Sequence, residues 1–180
     1  MNFFAYLFQD WKANRGNIKA RIVLTMFRLV MLINRYTLTK IIFFPYLMFY
    51  RVNVEWILGV ELPRKLIAGK NLIFYHGQGL VVNKSTIIGD NCVLRNGVTI
   101  GHKKLADGSL SRCPRIGNNV DIGPNVSIIG DISIGNNVVI GAGTVVVKDV
   151  PDNCTVVGNP ARILEDKTEA ATRIEHINGE

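Results

Sequence analysis

Three side chains in this sequence titrate close to neutral pH when unperturbed: His76, His102 and His176. They are its natural candidates for proton transfer. His176 lies in a charged C-terminal tail and reads as a solvated residue. His102 opens a polar segment, and nothing around it singles it out as a base. His76 stands in His76-Gly77-Gln78-Gly79, where the two glycines imply an irregular backbone running close to another segment. The three cysteines, Cys92, Cys113 and Cys154, are odd in number, widely spaced and form no C-x-x-C pair. They support neither a disulfide framework nor a zinc knuckle, and they fit a reducing cytoplasm. No metal site is expected.

The elements that must position these residues are written in a repeat. Aliphatic side chains recur every sixth position at Ile88, Leu94 and Ile100, then at Ile116, Ile122, Ile128, Ile134, Ile140 and Val146. Gly follows most of them, and Asn and Asp crowd the positions between. A helix repeats every three to four residues and a half-buried strand every two, so neither fits. Period six with Gly or Asn at each corner predicts a prism, with one short strand per hexapeptide and the aliphatic residue pointing inward. The fold expected is an all-β core, a left-handed parallel β-helix, with an α-helical N-terminal segment (1–58), the β-helix domain (59–160) and a short tail (161–180). Extrapolating the register back through Val82 lands on position 76, which would place His76 inside the shaft. The register breaks between Ile100 and Ile116, where His102–Arg115 reads as a loop thrown out from one corner. Asp10 is a candidate helix N-cap, and Gly16 and Pro45 are candidate helix breaks. Val150-Pro151 is expected to end the shaft, Gly158-Asn159-Pro160 to turn the chain, and the tail to form a short charged helix.

The net charge of +7 is uneven. Residues 1–60 hold eight Lys/Arg against two acids, Asp10 and Glu55, while the other 120 residues hold 13 basic and 12 acidic groups. Because the excess sits among apolar residues, phosphorylated small molecules or anionic lipid head groups are better partners than nucleic acid. No signal peptide is visible. The longest apolar run, Ile41–Tyr50, is interrupted by Pro45 and falls short of the roughly 18–20 residues a spanning helix needs. Residues 1–60 thus have the profile of a peripheral membrane contact at the cytoplasmic face, or of helices that pack subunits together.

The array with its single loop, followed by GAGTVVVKDVPDNCTVVGNPAR (141–162), resembles the hexapeptide-repeat acetyltransferases. Within them it is most similar to the branch of serine acetyltransferases and colanic-acid-type exopolysaccharide O-acetyltransferases. HGQGLVV (76–82), NGVTIG (96–101) and CPRIG (113–117) match in order and spacing. The resemblance covers about residues 55–165 and implies acetyl-CoA as donor, a hydroxyl as acceptor, and a homotrimer or dimer of trimers with active sites between shafts. It implies His76 as the base that activates the hydroxyl, with Glu61 fifteen residues earlier orienting it; serine acetyltransferases carry the shorter Asp there. Pro124 and Ala142 would border the pantetheine arm, and Lys103, Lys148 and Arg162 would meet phosphates. Tyr75, Arg112 and Cys113 fall at acceptor positions. Serine acetyltransferases have Asp directly before the base and Arg-His-Pro closing the loop, whereas this sequence has Tyr75 and Arg112-Cys113-Pro114. A neutral phenol cannot balance an ammonium, so a sugar hydroxyl of a surface polysaccharide or its lipid-linked precursor is expected over serine. Serine O-acetylation is the enzymatic alternative, and a trimeric scaffold without catalysis is the non-enzymatic one. A zinc carbonic anhydrase on the same prism would need three converging imidazoles, and only His76 and His102 lie near the shaft.

Overall fold

The computed structural model describes residues 2–166. Four short helices lead the chain: α1 (Phe3–Leu7), α2 (Ile18–Ile33), α3 (Thr37–Ile42) and α4 (Phe44–Tyr50), then a π-helical turn over Arg51–Ile57. The rest is a three-sided parallel β-helix. Face A stacks β1 (Val60–Glu61), β4 (Leu80–Val82), β7 (Thr99–Gly101), β10 (Ser127–Ile129) and β13 (Val145–Val146). Face B stacks β2 (Ile67–Ala68), β5 (Ile87–Ile88), β8 (Arg115–Ile116) and β11 (Ser133–Ile134). Face C stacks β3 (Ile73–Tyr75), β6 (Val93–Arg95), β9 (Asp121–Ile122), β12 (Val139–Ile140) and β14 (Cys154–Val157). On β14 an antiparallel β15 (Arg162–Asp166) is laid.

The period-six residues fill the shaft as expected: from Ile88 to Val146 none is more than 3% exposed. The Asn and Asp between them build the corner from face B to face C. Asn71, Asn91, Asn119, Asn137 and Asn153 all adopt φ between +55° and +61°, a region Asn enters at lower cost than most residues. Each of the first four donates its side-chain amide to the next Asn, at 2.8 or 2.9 Å, forming an unbroken ladder that ends with Asn153 as acceptor. Beside it Asp90, Asn118, Asn136 and Asp152 each accept from a backbone N–H one coil below. Glycine is required where those coils touch: a Cβ on Gly89 would lie 2.5 Å from the Gly117 carbonyl oxygen.

The N-terminal segment closes the first coil. Helix α2 buries Ala20, Val23, Leu24, Phe27, Val30 and Ile33 at helical spacing, and its core is continuous with the shaft. Asp10 is not a helix cap. It is 1% exposed and carries a buried ion pair with Arg28, whose guanidinium also donates to the Ala68 and Gly69 carbonyls. The reason is the unpaired outer edge of β3, whose polar groups need partners. Asp10 accepts from Leu72 N–H, Asn14 pairs with Leu72 O and Phe74 N–H, Asn17 donates to Phe74 O, and Lys19 to His76 O. Gly16, at φ +89°, does break the chain before α2, and Pro45 opens α4.

Two features of the C-terminus differ from expectation. The shaft does not stop at Pro151, because β14 still pairs with β12. Residues 162–166 form a strand rather than a helix, since the turn at Gly158–Pro160 returns the chain alongside β14. The remaining tail, with His176, lies outside the described residues. No described helix is long and apolar enough to cross a membrane.

Candidate active site

His76 is not a shaft residue. The inward positions around it are Phe74 and Leu80, at 1% and 0% exposure, and the chain turns outward between them at the corner from face C to face A. The turn is a γ-turn: Gly77 N–H donates to the Tyr75 carbonyl at 2.8 Å, with His76 central at φ +64°. A positive central φ in a γ-turn is rare and strained, and such strain concentrates at functional sites. Gly77 and Gly79 also have positive φ, and a Cβ on Gly77 would overlap the Phe74 ring. The glycines of HGQG therefore shape the corner that thrusts the imidazole into solvent.

A recess of about 630 Å³ opens beside it, lined by Arg15, Gly16, Asn17, Ile18, Lys19, Tyr75, His76 and Gln78. Five of those eight residues belong to the N-terminal segment. Asn17 caps α2 by accepting from Ala20 N–H at 3.0 Å while donating to Phe74 O at 3.1 Å. Lys19 reaches the His76 carbonyl at 2.9 Å. Tyr75 is 42% exposed, and the Arg95 guanidinium, ion-paired to Asp121, stacks 5.6 Å from its ring centre. Sequence reasoning did not find Arg15, Asn17 and Lys19, because they reach the site only through packing of the helical segment on β3.

Glu61 ends β1 on face A, opposite Val81. It lines a separate recess with Glu55, Asn83, Lys84 and His102, and among the described residues no hydrogen bond or ion pair joins it to His76. His102 Nδ1 lies 2.9 Å from the Asn83 amide. The loop begins there and folds back through a bridge between Lys104 and Leu110. Arg112 and Cys113 line a third recess with Asn83, Lys84 and His102. Cys113 is 6% exposed as a residue, and burial raises the pKa of its thiol. Among the described residues no group of three or more His, Cys, Asp or Glu converges as metal ligands would.

The predicted cofactor residues divide between the two borders of face A. Pro124 and Ala142 sit on the corner that carries His76, stacked on one another through Gly143 N–H to Pro124 O at 2.9 Å. Arg162 begins β15 near Gly158, at the top of that same column. With coils about 4.8 Å apart, the column from His76 to Gly158 extends roughly 19 Å. Lys103 and Lys148 lie on the opposite border, between faces A and B, with Arg112 and Cys113. Face A separates His76 and Tyr75 from Arg112 and Cys113 within one chain.

Comparisons with known proteins identify the family to which this fold belongs. Residues 113–148 match the family described as bacterial transferase hexapeptide (six repeats), and residues 79–102 that described as hexapeptide repeat of succinyl-transferase. The chain is 43% identical over 119 residues to WcaB of Escherichia coli K12, assigned by name as a colanic acid biosynthesis acetyltransferase, covering 66% of this chain and 72% of that protein. It belongs to the hexapeptide-repeat acetyltransferases. As a member, it is an acyltransferase. Soybean serine acetyltransferase superposes with a TM-score of 0.75 at 30% identity, covering 89% of this chain and 68% of that one. The Brucella abortus serine acetyltransferase in complex with coenzyme A gives 0.75 at 29% identity, covering 91% and 68%.

Proposed function

We propose that this acetyltransferase moves an acetyl group from acetyl-CoA to a sugar hydroxyl of a surface polysaccharide or its lipid-linked precursor, working as a trimer in the cytoplasm. The observation that carries the acceptor choice is the charge of the His76 recess. It is lined by Arg15 and Lys19 and by no carboxylate. Serine brings an ammonium, which needs an anion beside the reacting hydroxyl, and two cations there oppose it. A glycan needs hydrogen-bonding amides and an aromatic wall, which Asn17, Gln78 and Tyr75 supply.

In the reaction, the His76 imidazole takes the acceptor hydroxyl proton as that oxygen bonds the acetyl carbon. The carbon–sulfur bond then breaks, and the departing thiolate recovers the proton. The column of Pro124 and Ala142 would border the pantetheine arm leading to His76, with Arg162 at its far end for phosphate. The division of residues across face A supports an oligomeric site: His76 and Tyr75 would meet Arg112 and Cys113 where two shafts stand side by side. Lys103 and Lys148 would then face the column of the neighbouring subunit. Glu61, on β1 of face A, would act as a positioning residue for His76.

The WcaB likeness is in line with the glycan reading, and the likeness to serine acetyltransferases and Arg112, able to pair a carboxylate, favour serine. Steady-state kinetics separate them. The expected result is poor turnover of L-serine, and a kcat/KM for serine above about 10⁴ M⁻¹s⁻¹ would transfer the assignment to serine. His76→Ala is expected to lower kcat by about 10²–10⁴ on the true acceptor, with folding intact.

A further inference from the structure

Residues 36–57 carry apolar surface that no other described part of the chain covers. Ile41, Ile42, Phe43, Phe44 and Pro45 are consecutive and all exposed, the four large ones at 69%, 61%, 48% and 58%. Leu38 at 67% and Phe49 at 55% extend the patch, and Trp56 and Ile57 expose 64% and 71% at the end of the π-helical turn. Helix α4 turns only Leu47 and Tyr50 inward, and α3 buries nothing. Single exposed apolar residues are ordinary, but an unbroken run of this kind marks an interaction surface.

The charges around the patch identify the partner. Arg35 and Arg51 are exposed, and Lys40 sits in the last turn of α3. The exposed turn Arg64-Lys65 is tied to the helices by the Asn34 amide, 3.3 Å from the Arg64 carbonyl. Arg51, Arg64 and Glu55 line one recess together with the apolar Phe44 and Met48. Of the two acids in the first 60 residues, Asp10 is buried against Arg28 and Glu55 offsets Arg51 at 3.8 Å, which leaves Arg35, Lys40, Arg64 and Lys65 as the cationic excess around the patch. A two-fold pairing of identical faces would oppose cation to cation, whereas a convex apolar run fringed by cations complements a surface of acyl chains under phosphates. Trp56, beneath the Arg51 guanidinium at 5.6 Å, has the amphipathic character favoured at such a boundary.

We propose that residues 36–57 dock this enzyme on the surface of an anionic phospholipid bilayer, with Ile41–Phe44 seated at the headgroup boundary. Helices of six and seven residues, about 9 and 10 Å long, match an interfacial layer and not a span. The inference does not depend on which hydroxyl is acetylated.

The test is co-sedimentation of the full-length chain with vesicles of phosphatidylcholine alone or with phosphatidylglycerol added. Binding to the anionic vesicles at low salt is expected to exceed that to neutral ones by about fivefold or more, and to weaken as salt shortens the screening length. Phe44→Glu and Ile41→Glu, both at exposed positions and checked for folding by circular dichroism, are each expected to lower binding about tenfold. Sedimentation velocity runs in parallel. Absence of binding to anionic vesicles at low salt overturns the proposal. So does a variant that reduces the oligomer while binding vesicles as the wild type does, since the patch would then be an interface between copies.

Discussion

Lys19 Nζ donates a 2.9 Å hydrogen bond to the main-chain carbonyl of His76, 57 positions further along the chain. With Asn17 on the Phe74 carbonyl, it ties the start of α2 to the strand before a strained turn and to the central residue of that turn. The proposed base is thereby held by the helical segment as well as by the β-helix.

Lys19→Met should therefore lower kcat about tenfold while leaving the KM for acetyl-CoA near its original value, since misplacement costs rate more than donor binding. Lys19→Arg should recover part of the loss. Unchanged kcat in Lys19→Met would mean that the turn holds itself.

Breaking the buried pair should be costly. With both side chains at most 2% exposed, Asp10→Ala strands the Arg28 guanidinium and should cost about 3–5 kcal/mol in urea unfolding. The double substitution Asp10→Leu with Arg28→Met should be less damaging than Asp10→Ala alone. If the double variant is as unstable as the single, the ion pair is not what sets the loss.

In the asparagine ladder, Asn119→Ala removes both amide contacts and forces an alanine into φ +56°. About 1–2 kcal/mol of backbone cost adds to roughly 1 kcal/mol for each lost hydrogen bond. Asn119→Gly keeps the backbone freedom and should lose only the hydrogen-bond part. Thermal unfolding of the two variants measures the difference.

Alkaline stability should follow two tyrosines. Burial pushes the Tyr46 phenol from 10.0 up to about 12. Tyr50 moves the same way, by burial first and then by the nearby Glu55. Because the folded pKa is raised, the unfolded phenol ionises first. Their contribution is intact below about pH 10 and is lost as pH climbs toward the Tyr46 value of about 12. The urea midpoint should fall across that window, and Tyr46→Phe should flatten the decline.

The prism was legible in the sequence because every coil repeats the same demand. One aliphatic residue enters the shaft, and the corners take the residues that tolerate positive φ or close approach. Ile122 and Asn119 declare their places by spacing alone. His76 was legible as a candidate, but its exposure was not, since period-six extrapolation placed it inside. Only the three-dimensional turn, where Phe74 takes the inward position, moved it to the surface. Arg15, Asn17 and Lys19 carry no periodic mark, and Asp10 looked like a cap. Their roles arise because β3 has an unpaired edge that some segment must satisfy, and which segment does so is a matter of long-range packing. The separation of His76 from Arg112 by face A is of the same kind: local spacing assigns a residue to a corner, but only closure of the coil decides which corners are neighbours.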